Sequence, residues 1–215
     1  MPHADGTAPL SKTERAYAHL RDGILAGAYS PGERFVLNRI ARDLAISPVP
    51  VREAIRLLEA EGLVSFQRNV GAVVAHPDET AWPDTIETLA VLEARAGAAA
   101  APHLNRDILE WARAVNDDIR EPALSAEVFI ERDWQFHSTL TRPCPNPHLM
   151  SVLKRVRNLA RISQRLYLPY GEDVRARTVA DHDELLTALT RGADPRDIED
   201  LVRGHWLSFL SASSG

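Results

Sequence analysis

Three histidines and one aspartate in the second half of the chain are residue types that can form a metal site. Asp133 and His137 are four residues apart, so on a helix both side chains point from one face. His182 and His205 lie in two later segments with helical periodicity. Three imidazoles and a carboxylate from one bundle can hold a divalent ion, and this set suits Zn, Ni, Co or Mn without selecting one. Each histidine alone also fits an ordinary core or surface position.

Acidic residues around His182 can support such a site. Asp181, Asp183 and Glu184 flank this histidine, and carboxylates often orient a ligating imidazole by accepting a hydrogen bond from its other nitrogen. The alternative is that these acids are solvated near the start of a helix, where negative charge is favourable without any ligand.

A set of arginines between residues 34 and 68 is the second group with chemical potential. Arg52 and Arg56 lie one turn apart on a predicted helix, opposite its apolar face. A guanidinium can bind the O6 and N7 atoms of guanine, or it can hold a phosphate. We predict that Arg52 contacts a base edge and that Arg39, Arg42 and Arg56 contact phosphate or solvent. A solvated helix face is the alternative for each of them.

The elements that position these arginines have the order of a winged helix-turn-helix. A capping box predicts that a first helix begins near Ser11, and a short second helix is predicted over about 37–45. Ser47 is the predicted N-cap of a third helix that begins at Pro48 and ends at Gly62. Ser47 is also predicted to contact DNA. Such a module places its third helix in the major groove of DNA.

A hairpin is predicted directly after the third helix. Apolar residues alternate from Val64 to Val74 around a polar turn, which indicates a two-stranded wing. Arg68 and Gly71 in this wing are predicted to approach DNA, although turn geometry alone also explains the glycine.

Beyond His76 the pattern changes, and no strand periodicity follows. Short breaks at prolines and glycines separate the helical segments, which predicts antiparallel neighbours in a bundle. The predicted fold is mainly α: a flexible tail (1–10), an N-terminal winged helix-turn-helix (11–76) and a C-terminal all-α antiparallel helical bundle (77–215). Six helices are predicted in the bundle, at about 82–101, 106–119, 124–142, 146–168, 172–191 and 195–212. The aromatic residues Trp111, Trp134, Phe136 and Trp206 are predicted to lie in its core rather than in a ligand cage.

The net charge of −5 over 215 residues is distributed unevenly. Residues 34–68 contain six arginines and four acids, whereas residues 77–215 contain 16 basic and 22 acidic residues. Only the front part is therefore expected to meet phosphate. No apolar run approaches the ~20 residues that span a bilayer, no secretion signal is evident at the N-terminus, and the single Cys144 fits a reducing cytoplasm.

Both halves carry motifs of one protein family. The front motifs are the segments 27–33, 44–47, 50–55 and 61–64. The rear motifs are Leu92-Glu93, Asp133-x-x-Phe136-His137, Asn146-x-x-Leu149, His182-x-x-Leu185-Leu186-x-Ala188-Leu189, and Asp194 followed by His205. With these motifs the chain resembles GntR-type bacterial transcription regulators of the FadR-like branch, which have an all-helical ligand-sensing (FCD) domain. The resemblance runs from about Tyr17 to Phe209.

The resemblance implies a function for both halves. In the family, the residues that match Asp133, His137, His182 and His205 bind a divalent metal in many members, and the metal helps to hold a small organic acid. Zn, Ni or Mn is expected here. The resemblance further implies a cytoplasmic homodimer that binds a pseudo-palindromic double-stranded DNA operator, more often as a repressor.

Two positions depart from the family pattern. Pro48 stands directly after the turn serine, where the family usually has an arginine that commonly contacts DNA. We therefore expect an unusual operator, or a larger contribution of other arginines to its recognition. Leu89 stands four residues before Glu93, where the family often has an arginine that pairs with the effector carboxylate.

A replacement for that effector-binding arginine is available on a later helix. Arg157, Arg161 and Arg165 are four residues apart along one helix face, so at least one can point into the bundle. We predict that they contribute to effector binding. A solvated stripe paired with acids is the alternative.

Three other functions are compatible with the same residues. A bundle with three histidines and one carboxylate can activate water in a metal enzyme, a metal sensor uses the ion itself as its signal, and some winged helices mediate only protein contacts. We favour a DNA-binding regulator because an enzyme does not need the pattern of residues 34–74.

Overall fold

The computed structural model of the chain describes residues 10–167 and 171–212, with only the backbone described at 165–167, 211 and 212. Residues up to His76 form one compact unit, and residues from Pro77 form a second. In the first unit the elements are helices α1 (Lys12–Leu25), α2 (Leu37–Asp43) and α3 (Pro48–Ala60), followed by strands β1 (Val64–Gln67) and β2 (Gly71–Val74).

Helix α1 begins at the predicted capping box. The Glu14 backbone amide donates to the Ser11 hydroxyl over 3.2 Å, and the Ser11 amide donates to the Glu14 carboxylate over 2.7 Å. One face of α1, which includes Leu20 and Ile24, is buried and packs against α3. The predicted start of α1 at a capping box is therefore confirmed, and the buried face of this helix supports α3.

Helix α3 follows α2 after a tight turn in which Ala45 has a positive φ of 53°. Its buried face is formed by Pro50, Val51, Ala54, Ile55 and Leu58. Ser47 occupies the N-cap position, but its side chain makes no capping hydrogen bond in the described structure. The prediction of a side-chain cap is therefore wrong. A proline stands at the third helical position and has no N–H to donate, which removes one of the two donors that an N-cap side chain uses.

The predicted wing is present. Strands β1 and β2 are antiparallel, with Val64 opposite Val74 and Gln67 opposite Gly71. Gly71 has φ +101°, a conformation that favours glycine. Three successive residues of β2 are buried, whereas Phe66 on β1 is 53% exposed although the alternation groups it with the buried residues. The short hairpin thus departs from strict alternation on both strands.

The second unit contains the six predicted helices. They are α4 (Trp82–Ala100), α5 (Arg106–Asp118), α6 (Ala126–Thr141), α7 (Pro147–Tyr167), α8 (Glu172–Arg191) and α9 (Pro195–Ala212), with short 3-10 turns at Glu79–Ala81 and Ala101–His103. Helix α4 packs against α9, α7 and α6, so it is the central helix of this bundle. Among the described helices, none has the length and apolar character required to cross a membrane.

The core of the second unit is rich in aromatic side chains. Trp134, Phe136 and Trp206 are buried, as predicted. Trp111 was expected in the core as well, but it is 53% exposed, so that expectation is wrong. Helix α5 buries Ala112, Val115 and Asn116, and a tryptophan one residue before this stripe points about 100° away from it.

Candidate metal centre and nucleic-acid interface

Four side chains from three helices converge in the interior of the second unit. Asp133 and His137 come from α6, His182 from α8 and His205 from α9. All four are buried, and one ligand atom from each lies within 4.8 Å of the others. The one-turn spacing on α6 places its two side chains on one face, as the sequence predicts.

The short distances in this cluster join the Nε2 atoms of the imidazoles. His137 Nε2 is 3.0 Å from His205 Nε2 and 3.3 Å from His182 Nε2. Oδ1 of Asp133 is 3.4 Å from His182 Nε2 and 3.7 Å from His137 Nε2. One nitrogen of each ring and one carboxylate oxygen therefore face a common point.

The outer nitrogens of two of these rings have polar partners. His205 Nδ1 is 3.1 Å from Oδ2 of Asp181, and His182 Nδ1 is 3.0 Å from Oδ1 of Asn116. A carboxylate only accepts, so His205 carries its proton on Nδ1 and presents the Nε2 lone pair to the cluster. Of the three acids considered as supporting groups, Asp181 contacts a cluster histidine directly, and Glu184 is exposed.

Burial determines the charge state of the cluster. It raises the pKa of the Asp133 carboxyl to about 7, while His205 lowers this pKa and Glu93 raises it. Burial is also the main cause that lowers the pKa of His137 and of His182 well below the usual value, with His205 adding to the effect. The two imidazoles are therefore neutral at pH 7, which is the form that ligates a metal.

The cluster fits a divalent cation. Both carboxylate oxygens of Asp133 are buried and have no hydrogen-bond partner among the described residues. Buried polar atoms are nearly always paired, so two orphaned oxygens beside lone pairs of imidazoles require an explanation. A cation at the common point would pair with the carboxylate oxygen that faces it and would remove the repulsion between the lone pairs. A set of three imidazole nitrogens and one carboxylate oxygen suits Zn²⁺, although the residue types do not select one ion.

The arginines predicted to bind an effector have other partners. Arg157 donates to both carboxylate oxygens of the buried Glu93, over 2.5 and 2.7 Å, and to the Thr141 hydroxyl over 2.6 Å. Arg161 donates to Glu131 and lies over the ring of Trp134. The side chain of Arg165 lies outside the described residues. The fork of Arg157 is therefore occupied by Glu93, a pair that the sequence reasoning did not foresee.

A small cavity adjoins the cluster. Its polar wall is formed by Glu93, His137 and Thr141, and its apolar wall by side chains that include Leu185 and Val202. The cavity has a volume of about 10 Å³, which is room for about one water molecule. Any larger ligand at this place requires the surrounding helices to move apart.

The first unit presents the predicted arginines on its surface. Six of the seven predicted DNA contacts are exposed: Arg39 and Arg42 on α2, Ser47 before α3, Arg52 and Arg56 on α3, and Arg68 in the wing turn. Gly71, the seventh, is partly buried at the start of β2. The Arg39 guanidinium is 3.9 Å from the Asp43 carboxylate, and both side chains are largely exposed, so this pair leaves the arginine accessible.

Val49 is a residue on this surface that the sequence reasoning missed. It lies in the first turn of α3 and is 60% exposed. Val49, Arg52 and Arg56 are spaced by three and four residues, so they share the exposed helix face. An apolar side chain on such a face can contact the methyl group of thymine. The sequence could have predicted this exposure, because the helical period places Val49 on the side of α3 opposite its buried residues.

A winged helix-turn-helix with an exposed arginine face, joined to an all-helical second unit, defines a DNA-binding transcriptional regulator. Residues 12–74 match the family described as bacterial regulatory proteins of the gntR family, and residues 84–208 match the FCD domain. The chain therefore belongs to the GntR family of transcriptional regulators and carries an FCD domain, as its motifs predict.

Characterised and uncharacterised relatives agree with this assignment. The Uxu operon transcriptional regulator of Escherichia coli K12 is 30% identical over 196 residues, which cover 81% of this chain and 76% of the relative. An uncharacterised HTH-type regulator of Mycobacterium tuberculosis is 28% identical over 150 residues, which cover 70% of this chain and 61% of that relative. The structure of McbR/YncC of E. coli has a TM-score of 0.78 and 19% identity, covering 94% of this chain and 97% of that one, and supports the fold.

Proposed function

We propose that this regulator is a cytoplasmic homodimer that represses transcription from a pseudo-palindromic operator and releases it in response to a small molecule. The FCD domain would hold a divalent ion, Zn, Ni or Mn, through Asp133, His137, His182 and His205. The observation that carries the metal part is the convergence of three imidazole nitrogens on a buried carboxylate that has no hydrogen-bond partner among the described residues.

When bound, the ion supplies a positive charge that can attract an oxygen of an anionic effector. The residues around it determine what else such an effector meets. Glu93 already neutralises Arg157, so a carboxylate that pairs with this guanidinium must displace Glu93. We therefore propose a small organic acid that approaches the ion directly and has an apolar remainder, because most of the cavity wall is apolar.

The proposed response follows from the size of this cavity. The cavity has room for about one water molecule, so it must widen to admit an organic acid. Binding then favours an arrangement in which α4, α8 and α9 stand further apart. The ligand is an allosteric effector only if it binds the DNA-competent and DNA-incompetent states unequally.

On the DNA side, we propose that Arg52 binds a base edge in the major groove and that Val49 adds an apolar contact beside it. Arg39, Arg42 and Arg56 hold phosphates, and the wing residues Arg68 and Gly71 approach the backbone or minor groove. Ser47 is exposed at the N-cap of the recognition helix, and we propose that its hydroxyl contacts a phosphate. One recognition helix per half-site gives the dimer its palindromic operator.

Metal analysis and DNA footprinting test the proposal together. Protein purified without added metal is expected to contain close to one divalent ion per chain, and to protect a pseudo-palindrome in the DNA upstream of its own gene. Titration with small organic acids is then expected to abolish the footprint. A reporter fused to the same upstream DNA should be more active in cells that lack the protein if it is a repressor.

Other outcomes favour the alternatives. A footprint that responds to the ion but to no acid indicates a metal sensor. No protection of any specific fragment refutes the DNA-binding proposal, and absence of an ion refutes the metal proposal while leaving the DNA proposal intact. We do not propose an enzyme, because Glu93, the carboxylate in the wall of the cavity beside the cluster, is paired with Arg157 and is not free to act as a general base.

A further inference from the structure

A chain of polar contacts leads from the surface of the FCD domain to one of the cluster histidines. Arg120, in the turn after α5, donates to both oxygens of Asp183 over 2.5 and 2.6 Å. Asn116 Nδ2 donates to Asp183 Oδ1 over 2.9 Å, and Asn116 Oδ1 is 3.0 Å from His182 Nδ1. Arg120 and Asp183 are each 44% exposed, whereas Asn116 and His182 are buried.

The Arg120–Asp183 ion pair at the surface determines the direction of every hydrogen bond in this series of contacts. The Asp183 carboxylate, paired with Arg120, can only accept, so Asn116 must point its NH₂ group at Asp183. Its carbonyl oxygen then faces His182, and a carbonyl can only accept. His182 must therefore carry its proton on Nδ1, which leaves the Nε2 lone pair directed at the cluster.

We propose that Asn116 is a positioning residue whose orientation, imposed by the Asp183–Arg120 ion pair, fixes the tautomer and ring angle of His182. The affinity of the site for its ion then depends partly on a pair of residues at the surface. The effect on ion affinity rests on the proposed metal site. The tautomer of His182 does not depend on that site.

His205 provides an internal contrast. Its Nδ1 is held directly by the Asp181 carboxylate, without an intervening amide. A carboxylate cannot reverse its polarity, whereas an amide can turn over and offer its NH₂ group instead of its oxygen. The tautomer of His182 therefore depends on Asp183, which orients the amide of Asn116. The tautomer of His205 should not respond to changes at Asp183.

The test compares Asn116→Leu, Asp183→Asn and the matched control Asp117→Asn. Asp117 is also a carboxylate partner of Arg120, at 3.2 Å, but no hydrogen bond joins it to Asn116 or His182 in the described structure. The first measurement is the ¹⁵N shifts of the imidazole nitrogens in metal-free protein, which report the tautomer. The second is the affinity for Zn²⁺ by competition with a chelator.

Wild-type protein is expected to show His182 with its proton on Nδ1. Asn116→Leu should give a mixture of tautomers at His182 with His205 unchanged, and it should weaken Zn²⁺ binding by about 10–100-fold, the usual effect of losing a partner that orients a ligand. Asp183→Asn should change the His182 tautomer population and the Zn²⁺ affinity in the same direction, but by smaller amounts. An amide at position 183 permits both orientations of Asn116, so the native one remains partly populated. Asp117→Asn should change neither.

Unchanged His182 tautomers in both variants would overturn the inference, whether or not the protein binds metal. If wild-type protein binds no Zn²⁺, the proposed metal function fails while the ¹⁵N shifts still decide the role of Asn116. Should Asn116→Leu fail to fold, Asp183→Asn alone decides, because it changes a half-exposed residue. An equal loss of Zn²⁺ affinity in Asp117→Asn would overturn the inference, because it would show that any loss of a carboxylate partner of Arg120 weakens the site.

Discussion

The exposed face of α3 and the buried cluster of the FCD domain, for which we propose DNA and a metal ion as ligands, differ in how they carry their charged and polar groups. On α3, Arg52 and Arg56 are solvated, so their charge costs nothing before DNA arrives. In the cluster, a carboxylate and three imidazoles have been removed from water, and their polar atoms face one another. Charge exposed on a surface can be shared among many residues, whereas a buried site depends on each of its members.

The largest effect is expected from the buried ion pair beside the cluster. Glu93→Gln keeps the shape of the side chain but leaves the charge of Arg157 without its counter-ion. We expect the free energy of unfolding to fall by about 3–5 kcal/mol, measured by denaturant titration. Glu199→Gln is the control, because its partner Arg95 is 63% exposed and such pairs contribute about 0–1 kcal/mol. Equal losses in the two variants would contradict the contrast between buried and exposed charge.

Removal of one cluster histidine should nearly abolish metal binding. His182→Ala deletes a ligand, so the affinity for Zn²⁺ is expected to fall by more than the ~100-fold that marks the loss of a supporting partner. Chelator competition measures the change. His103→Ala is the matched control, because His103 is exposed in a short turn of the same unit. Retention of the ion in His182→Ala would exclude this cluster as the binding site.

A moderate effect is expected on the exposed face. Arg52→Ala should weaken operator binding by about 1–3 kcal/mol and relax the preference at one base pair, as loss of a bidentate guanine contact does. Gel shifts with single-base operator variants measure both quantities. Arg15→Ala, on the exposed side of α1, should leave them unchanged. A uniform loss on all sequences would instead assign Arg52 to phosphate.

The smallest effect is expected from one phosphate contact. Arg42→Ala should weaken binding to all DNA sequences alike and should reduce the slope of log affinity against log salt by about 1. The measurement is a salt titration of operator and non-operator DNA, again with Arg15→Ala as reference. An altered base preference with an unchanged slope would reverse the roles that we propose for Arg42 and Arg52.

The order of the elements was predictable because local signals are strong in this chain. Prolines and glycines separate the helices, and the capping box at Ser11 and Glu14 begins α1 as expected. Asp133 and His137 could be paired from their spacing alone. That His182 and His205 join them depended on the family resemblance, because nothing local in a sequence reports a contact between helices 45 or 68 residues apart.

The sequence-based predictions that are wrong, and the contacts that the sequence did not predict, have physical causes. The Ser47 cap fails because Pro50, at the third helical position, removes a donor, and Trp111 is exposed because it lies outside the buried stripe of α5. Glu93 and Arg157 were not paired, since they are 64 residues apart. Asn116 was overlooked as an ordinary polar residue, although its phase with Ala112 and Val115 places it on the buried face of α5.

The prolines at the start of α3 have a consequence for how DNA is held. The first turn of a helix normally offers several free backbone amides, which together with the helix dipole form a ready cradle for a phosphate. Pro48 and Pro50 remove two of these donors. If α3 is the recognition helix, as we propose, its main chain has fewer amides to donate to phosphate. Arginine side chains must then supply most of the phosphate binding, which weakens as the salt concentration rises.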